Sequence, residues 1–185
     1  MVAIARLAIL PAALLLCGFV SITRFEHPPT GHAVTPPAGF VVVDLAGIYS
    51  TQAAFAVGVF RDTTTDIRNP PPPNCVVTLD QRSDNAALTQ DELNARVRDR
   101  ATIDPMVEHY GRKFEMSDEP ITLADVPGHQ FTMRTPDGDA TSLVHVVSLF
   151  DAPSGRTTLS CTTRAENLPT DLDTIRRIRD GITLP

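Results

Sequence analysis

The chain lacks the residue types with which proteins bind nucleic acids. Its 185 residues include no tryptophan, two tyrosines and a single lysine, Lys113. The formal net charge of -6 at pH 7 repels phosphate backbones, and few aromatic side chains are present to stack on bases. We therefore exclude nucleic acid as a partner.

Charge is also absent from most of the N-terminus. An uncharged, apolar run extends from Leu7 to Ile22 and is followed by Thr23 and Arg24. Such a run is long for a signal-peptide core and slightly short for a membrane span. We predict that residues 1–24 form an apolar helix that is a signal anchor or a signal peptide. Membrane contact through residues 7–22 would then hold the remainder outside the cytoplasm.

Two alternatives for this segment stay open. Cleavage by signal peptidase requires small residues before the cut, and the nearby positions fit this requirement poorly. Cys17 follows three leucines and precedes a glycine, an arrangement that resembles a bacterial lipobox. Leu16, however, occupies a position where lipoproteins carry a small residue. The segment is therefore retained, cleaved or lipidated at Cys17.

Proline marks the next change in composition. Residues 25–38 contain four prolines and little apolar periodicity, which is typical of an extended linker. We predict a linker over 25–38 and one domain over 39–185. With 42% hydrophobic and 21% charged residues, the chain has the composition of a folded globular protein.

The domain alternates short apolar runs with amphipathic stretches. Thr89 and Glu92 form a capping box that predicts a helix from Gln90, and Asp104 before Pro105 predicts a second, short helix. A last helix is predicted from Pro169 to Gly181. The predicted strands are Phe40–Leu45, Phe55–Phe60, Cys75–Gln81, Gln130–Arg134, Ser142–Phe150 and Thr157–Thr163, and Ile121–Leu123 is a further candidate.

The strand Ser142–Phe150 is apolar on both faces, so we expect it to be central and covered twice. This pattern favours an α+β fold in which one antiparallel sheet of about six strands carries helices on both faces. An Asp137-Gly138 turn would pair Gln130 with His145, and a turn after Phe150 would place His145 opposite Cys161.

Several turn residues carry a family resemblance. The Val126-Pro-Gly-His129 turn, the Asp137-Gly138 hairpin, the Gly155-Arg156 turn and the closing amphipathic helix resemble the PsbP-like superfamily. The similarity covers about residues 39–185 and contains no diagnostic motif. It implies an α-β-α sandwich that acts as an accessory or binding protein, usually without catalysis. No functional residue is carried over from it.

The cysteines of the domain, Cys75 and Cys161, suggest a disulfide, because an exported domain meets oxidising conditions. Two separate buried thiols are the structural alternative. A functional alternative pairs Cys161 with His145 as an activated thiolate, although no glycine-rich oxyanion loop accompanies them.

Metal and cofactor sites are not predicted. No two histidines have the local spacing of a zinc motif, and the acidic turn around Gly138 lacks the other ligands of a calcium loop. Three arginines, Arg176, Arg177 and Arg179, make the last helix basic. They form either a solvated face or a docking patch for an acidic partner or for lipid headgroups.

These observations predict a non-enzymatic binding or accessory protein of the cell envelope, whose partner is an unknown protein or small ligand. One alternative is the thiol-dependent enzyme that uses Cys161 and His145. The other is a structural spacer or interaction module of the envelope that acts through the Pro70–Pro73 cluster or the linker.

Overall fold

The computed structural model describes residues 23–45, 53–63 and 69–185. The helix predicted in the apolar N-terminal segment, with Cys17, therefore lies outside the described residues. Within the described ranges, no helix has the length and apolar character needed to cross a membrane.

A seven-stranded antiparallel sheet forms the body of the domain, one strand more than the roughly six predicted. The strands lie in the order β3-β4-β5-β9-β8-β7-β6. Their bounds are Phe40–Asp44 (β3), Ala53–Arg61 (β4), Asn74–Asp80 (β5), Glu115–Leu123 (β6), Val126–Arg134 (β7), Leu143–Ala152 (β8) and Gly155–Arg164 (β9). The α+β class with a large antiparallel sheet is confirmed.

A second, three-stranded sheet occupies the segment that we expected to be a linker. It contains β1 (Phe25–His27), β2 (His32–Val34) and β10 (Ile182–Thr183) in the order β1-β2-β10. The linker prediction for 25–38 is wrong, because this segment forms the two strands β1 and β2. Its prolines do not prevent this, since they lie in the β1–β2 turn and after β2. Val34 is completely buried, so the folded unit includes this segment.

The described residues also form four α-helices: α1 (Ser83–Ala86), α2 (Gln90–Arg98), α3 (Arg100–Gly111) and α4 (Leu168–Asp180). The capping box that begins α2 is confirmed, with both Thr89 and Glu92 bonds formed. The second helix begins earlier than predicted, because the side chain of Asp99 accepts from the backbone N–H of Ala101. Pro105 consequently lies inside α3.

The two faces of the large sheet are covered differently. One face, which we call the closed face, carries Val57, Val77, Val146 and Leu159 and packs against Ile175 and Ile178 of α4, with the small sheet alongside. The opposite face of β6, β7 and β8 packs against α2 and α3. We call it the cavity face.

Two hairpin registers differ from those expected. The β7–β8 connection runs from residue 135 to residue 142 rather than through a two-residue turn, and His145 lies opposite Met133. The β8–β9 turn contains only residues 153 and 154, and therefore Thr162, not Cys161, lies opposite His145. Strand β6 is also longer than predicted, because its charged residues and Pro120 are tolerated at a sheet edge.

Candidate ligand site

A cavity of about 370 Å³ lies on the cavity face, between α3 and the sheet. Strands β7 and β8 provide its floor, and α3 provides the opposite wall. The apolar lining residues are Met106, Tyr110, Met116, Phe131, Met133, Val147 and Leu149. Alternation along β7 and β8 brings these side chains together, because residues 131 and 133 share a face with residues 147 and 149.

The polar side chains of the cavity come from the other side, where β5 meets β9. Asp80, Arg82, Arg156 and Thr158 line this side. Asp80 and Arg156 lie directly opposite each other in the β5–β9 register. The side chain of Arg82 is exposed and makes no hydrogen bond or ion pair with any residue in the described part of the chain. The cavity is therefore apolar along one side and polar along the other.

Arg156 is held in place by a buried carboxylate. Its Nε and Nη2 lie 2.8 and 2.7 Å from the two carboxylate oxygens of Asp151, which is only 3% exposed. Burial alone would raise the pKa of Asp151. The hydrogen bonds and charge of Arg156, with further help from Asn85 and Arg96, outweigh that effect and hold the pKa below its usual range. Asp151 is therefore charged at neutral pH and fixes the guanidinium at the cavity wall.

The same carboxylate joins the first two helices to the sheet. Asn85 of α1 donates to Asp151 and to the carbonyl of Ala152. Arg96 of α2 donates to the side-chain oxygen of Asn85 at 2.5 Å and has an Nη2 3.6 Å from Asp151. This cluster anchors α1 and α2 to the β8–β9 hairpin, so the polar end of the cavity is rigidly built.

Helix α3 is held less firmly. Ile103 is its one buried side chain, and Tyr110 is 41% exposed. At the start of the helix, Arg100 donates to Asp118 of the edge strand β6 at 2.5 Å. The cavity thus has a firmly anchored floor and a wall that rests on few buried contacts.

His129 joins the α2–α3 junction to the sheet. Its Nε2 lies 2.9 Å from the carbonyl oxygen of Val97, so this nitrogen carries the hydrogen and donates it. Its Nδ1 is buried without a hydrogen-bond partner in the described part of the chain and lies 3.8 Å from Asp118. The imidazole therefore connects α2 to β7 next to the start of α3.

The structure forms the predicted disulfide between Cys75 and Cys161. The two residues lie directly opposite each other on β5 and β9, with both sulfurs buried in the closed-face core. The thiolate pair of Cys161 and His145 is wrong, because Cys161 is disulfide-bonded and His145 points to the cavity face, 3.3 Å from the hydroxyl of Thr162.

His129 and His145 share the cavity face, contrary to the register expected from the sequence. They lie four positions apart along paired strands, or about 13 Å at the rise of a β-strand. In the described ranges, no group of three potential metal ligands comes together.

The predicted docking patch lies on the outer side of α4. Arg176 pairs with Asp173, and Arg179 pairs with Asp180. Arg177 donates to the carbonyl of Asp173 and to Thr174. The three arginines therefore have partners within their own helix, and a role in docking stays a prediction.

Sequence reasoning did not find the cavity. Its apolar residues come from α3, β6, β7 and β8, and only the strand register brings them together. One signal was present: all methionines after Met1 fall between residues 106 and 133. Methionine adapts to irregular spaces and is common at binding surfaces.

Comparisons with known proteins identify the fold. The chain is similar to cyanobacterial PsbP (CyanoP) from Synechocystis sp. PCC 6803, with 14% identity, a TM-score of 0.51, and coverage of 92% of this chain and 96% of the other. It is also similar to LpqN of Mycobacterium tuberculosis, a protein involved in cell envelope biogenesis, with 13% identity, a TM-score of 0.50, and coverage of 88% and 90%. No family model and no curated protein sequence matches. The chain has a PsbP-like fold.

Proposed function

We propose that this protein is a non-enzymatic accessory protein of the cell envelope that binds a small amphiphilic ligand in the cavity between α3 and the sheet. The observation that carries the proposal is the division of the cavity into an apolar side and a polar side. Its volume of about 370 Å³ lies within the usual range of small-molecule sites, about 300 to 1,000 Å³.

The walls indicate how the ligand is oriented. Its apolar part contacts Phe131, Val147 and the methionines, where burial of apolar surface provides most of the affinity. Its head group accepts hydrogen bonds from Arg82, since the guanidinium of Arg156 is already bound by Asp151. Thr158 offers a hydroxyl beside them. A single-chain molecule with a carboxylate or other acceptor at one end fits this arrangement.

Three observations support a location outside the cytoplasm. The disulfide of Cys75 and Cys161 requires an oxidising compartment. The apolar run from Leu7 to Ile22 has the character of an export or anchor segment. LpqN, which shares the fold, is a protein of cell envelope biogenesis. Alkaline phosphatase fused after Pro185 tests the location, since an inactive fusion in cells would contradict it.

Methionine-methyl NMR tests the ligand site directly. The full chain, labelled at its methionine methyl groups and held in lipid nanodiscs, is titrated with decanoate and with 1-decanol. We expect saturable shifts of the signals of Met106, Met116 and Met133 with both compounds. Decanoate should bind more tightly than decanol, and Arg82→Gln should remove that difference.

A matched pair of variants separates the cavity from the rest of the surface. Thr158→Phe fills the cavity and should abolish the shifts. Thr162→Phe places the same ring four residues further along the same face of β9, opposite His145 and outside the cavity lining, and should leave binding intact. Equal binding by both variants, or no saturable shift in the wild type, would refute the proposed site.

A further inference from the structure

Methionine is distributed unevenly in this fold. Met106 on α3, Met116 on β6 and Met133 on β7 all line the cavity, and each is half-buried. Met116 and Met133 lie directly opposite each other in the β6–β7 register. The closed-face core contains no methionine among its described members and is built from valine, leucine, isoleucine, phenylalanine and the disulfide.

A cluster of half-buried thioethers has a chemistry that aliphatic side chains lack. A hydroperoxide oxidises a thioether to a sulfoxide, which converts a flexible apolar side chain into a polar one. The compartment that maintains the Cys75–Cys161 disulfide is oxidising. Since Cys75 and Cys161 are buried in the core as a disulfide, the methionines are, among the described residues, the sulfur atoms placed to react at the cavity.

We propose that Met106, Met116 and Met133 form a peroxide-sensitive switch that controls ligand binding in the cavity. The sulfur lone pair attacks one oxygen of hydrogen peroxide, the O–O bond breaks, and that oxygen remains on sulfur. The other oxygen leaves as water after proton transfer. Each sulfur is oxidised by two electrons and each peroxide is reduced by two. This regulation of ligand binding rests on the proposed function, since it requires the ligand site in the cavity.

The structure indicates which element responds. A sulfoxide oxygen on the apolar side of the cavity lies away from the charged side chains of the opposite side, and the phenol of the partly exposed Tyr110 is the one side-chain donor among the lining residues near it. Helix α3 carries Met106, buries only Ile103, and faces both other methionines across the cavity. Oxidation therefore releases α3 from the sheet, while the cluster around Asp151 keeps α1 and α2 in place.

The test compares the full chain in nanodiscs with a variant that carries Met106→Leu, Met116→Leu and Met133→Leu. Leucine keeps similar volume and apolar character but cannot be oxidised. Both proteins are treated with hydrogen peroxide, and peptide mass spectrometry follows oxygen uptake at each methionine. We expect the three cavity methionines to oxidise in the wild type and decanoate affinity to fall by about tenfold or more, as one buried unpaired polar group implies. The affinity of the variant, whatever its value before treatment, should be the same before and after peroxide.

Two further readouts make the result decisive. Trypsin cleavage after Arg112 and Lys113, at the end of α3, should accelerate in the oxidised wild type but not in the variant. Methionine sulfoxide reductase with a thiol reductant should reverse both effects. Oxidation that changes neither decanoate affinity nor cleavage, or cavity methionines that resist peroxide, overturns the switch. If decanoate binds neither form while α3 is still released, the ligand site fails and the oxidation response of α3 stands.

Discussion

Helices α4 and α3 cover opposite faces of one sheet in different ways. α4 buries Leu168, Asp171, Ile175 and Ile178, and Thr163 donates to the carboxylate of Asp171 from the sheet. α3 buries a single side chain and leaves a cavity beneath it. The closed face therefore provides most of the stability. The cavity face keeps space for a ligand and a wall that can move.

The disulfide gives the largest expected difference between the faces. It joins β5 and β9 within the closed-face core and links residues 86 positions apart. Replacing both cysteines by alanine should lower the free energy of unfolding by about 4 kcal/mol, chiefly because the unfolded chain gains freedom. Urea denaturation measures it, and the reduced wild type serves as a control. A loss below about 1 kcal/mol would show that the cross-link contributes little.

Truncation of the two helices compares the faces directly. Ile175→Ala removes a completely buried side chain of α4 and should cost about 3 kcal/mol of unfolding free energy. Met106 of α3 is half-buried and borders the cavity, so its side chain is not closely packed on all sides. Met106→Ala removes a similar volume and should cost only about 1 kcal/mol of unfolding free energy. Urea denaturation of both variants measures the difference. Equal losses would mean that α3 is packed as firmly as α4.

The cavity face has one firmly built region, the cluster around Asp151. Asp151→Asn should lower the free energy of unfolding by about 2 kcal/mol, because Arg156 and Arg96 lose their shared buried anion. The lowered pKa of Asp151 adds stability that is present above the unfolded pKa and is lost as the pH falls through the folded pKa. The variant should therefore lack part of the wild-type loss of stability below about pH 4. Acid unfolding of the wild type and of Asp151→Asn, followed in parallel, measures this difference. Identical dependence of stability on pH in the two proteins would show that the cluster is unimportant.

The smallest expected effect concerns His32, which lies in β2 of the small sheet and contacts Thr157 of the large sheet. Burial lowers the pKa of His32, and the charge of nearby His27 lowers it further. A hydrogen bond with Thr30 raises this pKa but does not outweigh the two other effects. The folded protein thus holds this imidazole neutral while the unfolded chain takes up a proton more readily. Stability should fall as the pH decreases below about 6.5.

Thermal melts between pH 8 and pH 5 measure this effect. His32→Asn should weaken the pH dependence, because it removes the buried imidazole. His109→Asn provides the control, since His109 is exposed on α3. A wild type whose melting temperature does not fall towards pH 5 would contradict the prediction.

Prediction from the sequence succeeded where local signals were strong. The capping box at Thr89 marks the start of α2 correctly, and the apolar pattern of residues 142–150 locates the central strand β8. It found only the last three residues of β6, because the charged residues and Pro120 before them are acceptable only at the edge of a sheet. It failed for residues 25–38, where proline content hid two short strands.

The sequence by itself determined the α+β class and the helix capped by Thr89, and it favoured the pairing of Cys75 with Cys161 without deciding it. Those features depend on short-range periodicity, on local hydrogen bonds and on the number of cysteines available. The tertiary structure decided the cavity, the partners of Asp151 and the separation of Cys161 from His145. A change of one residue in strand register moves a side chain to the other face of the sheet, and hairpin turns that only the folded chain defines set that register.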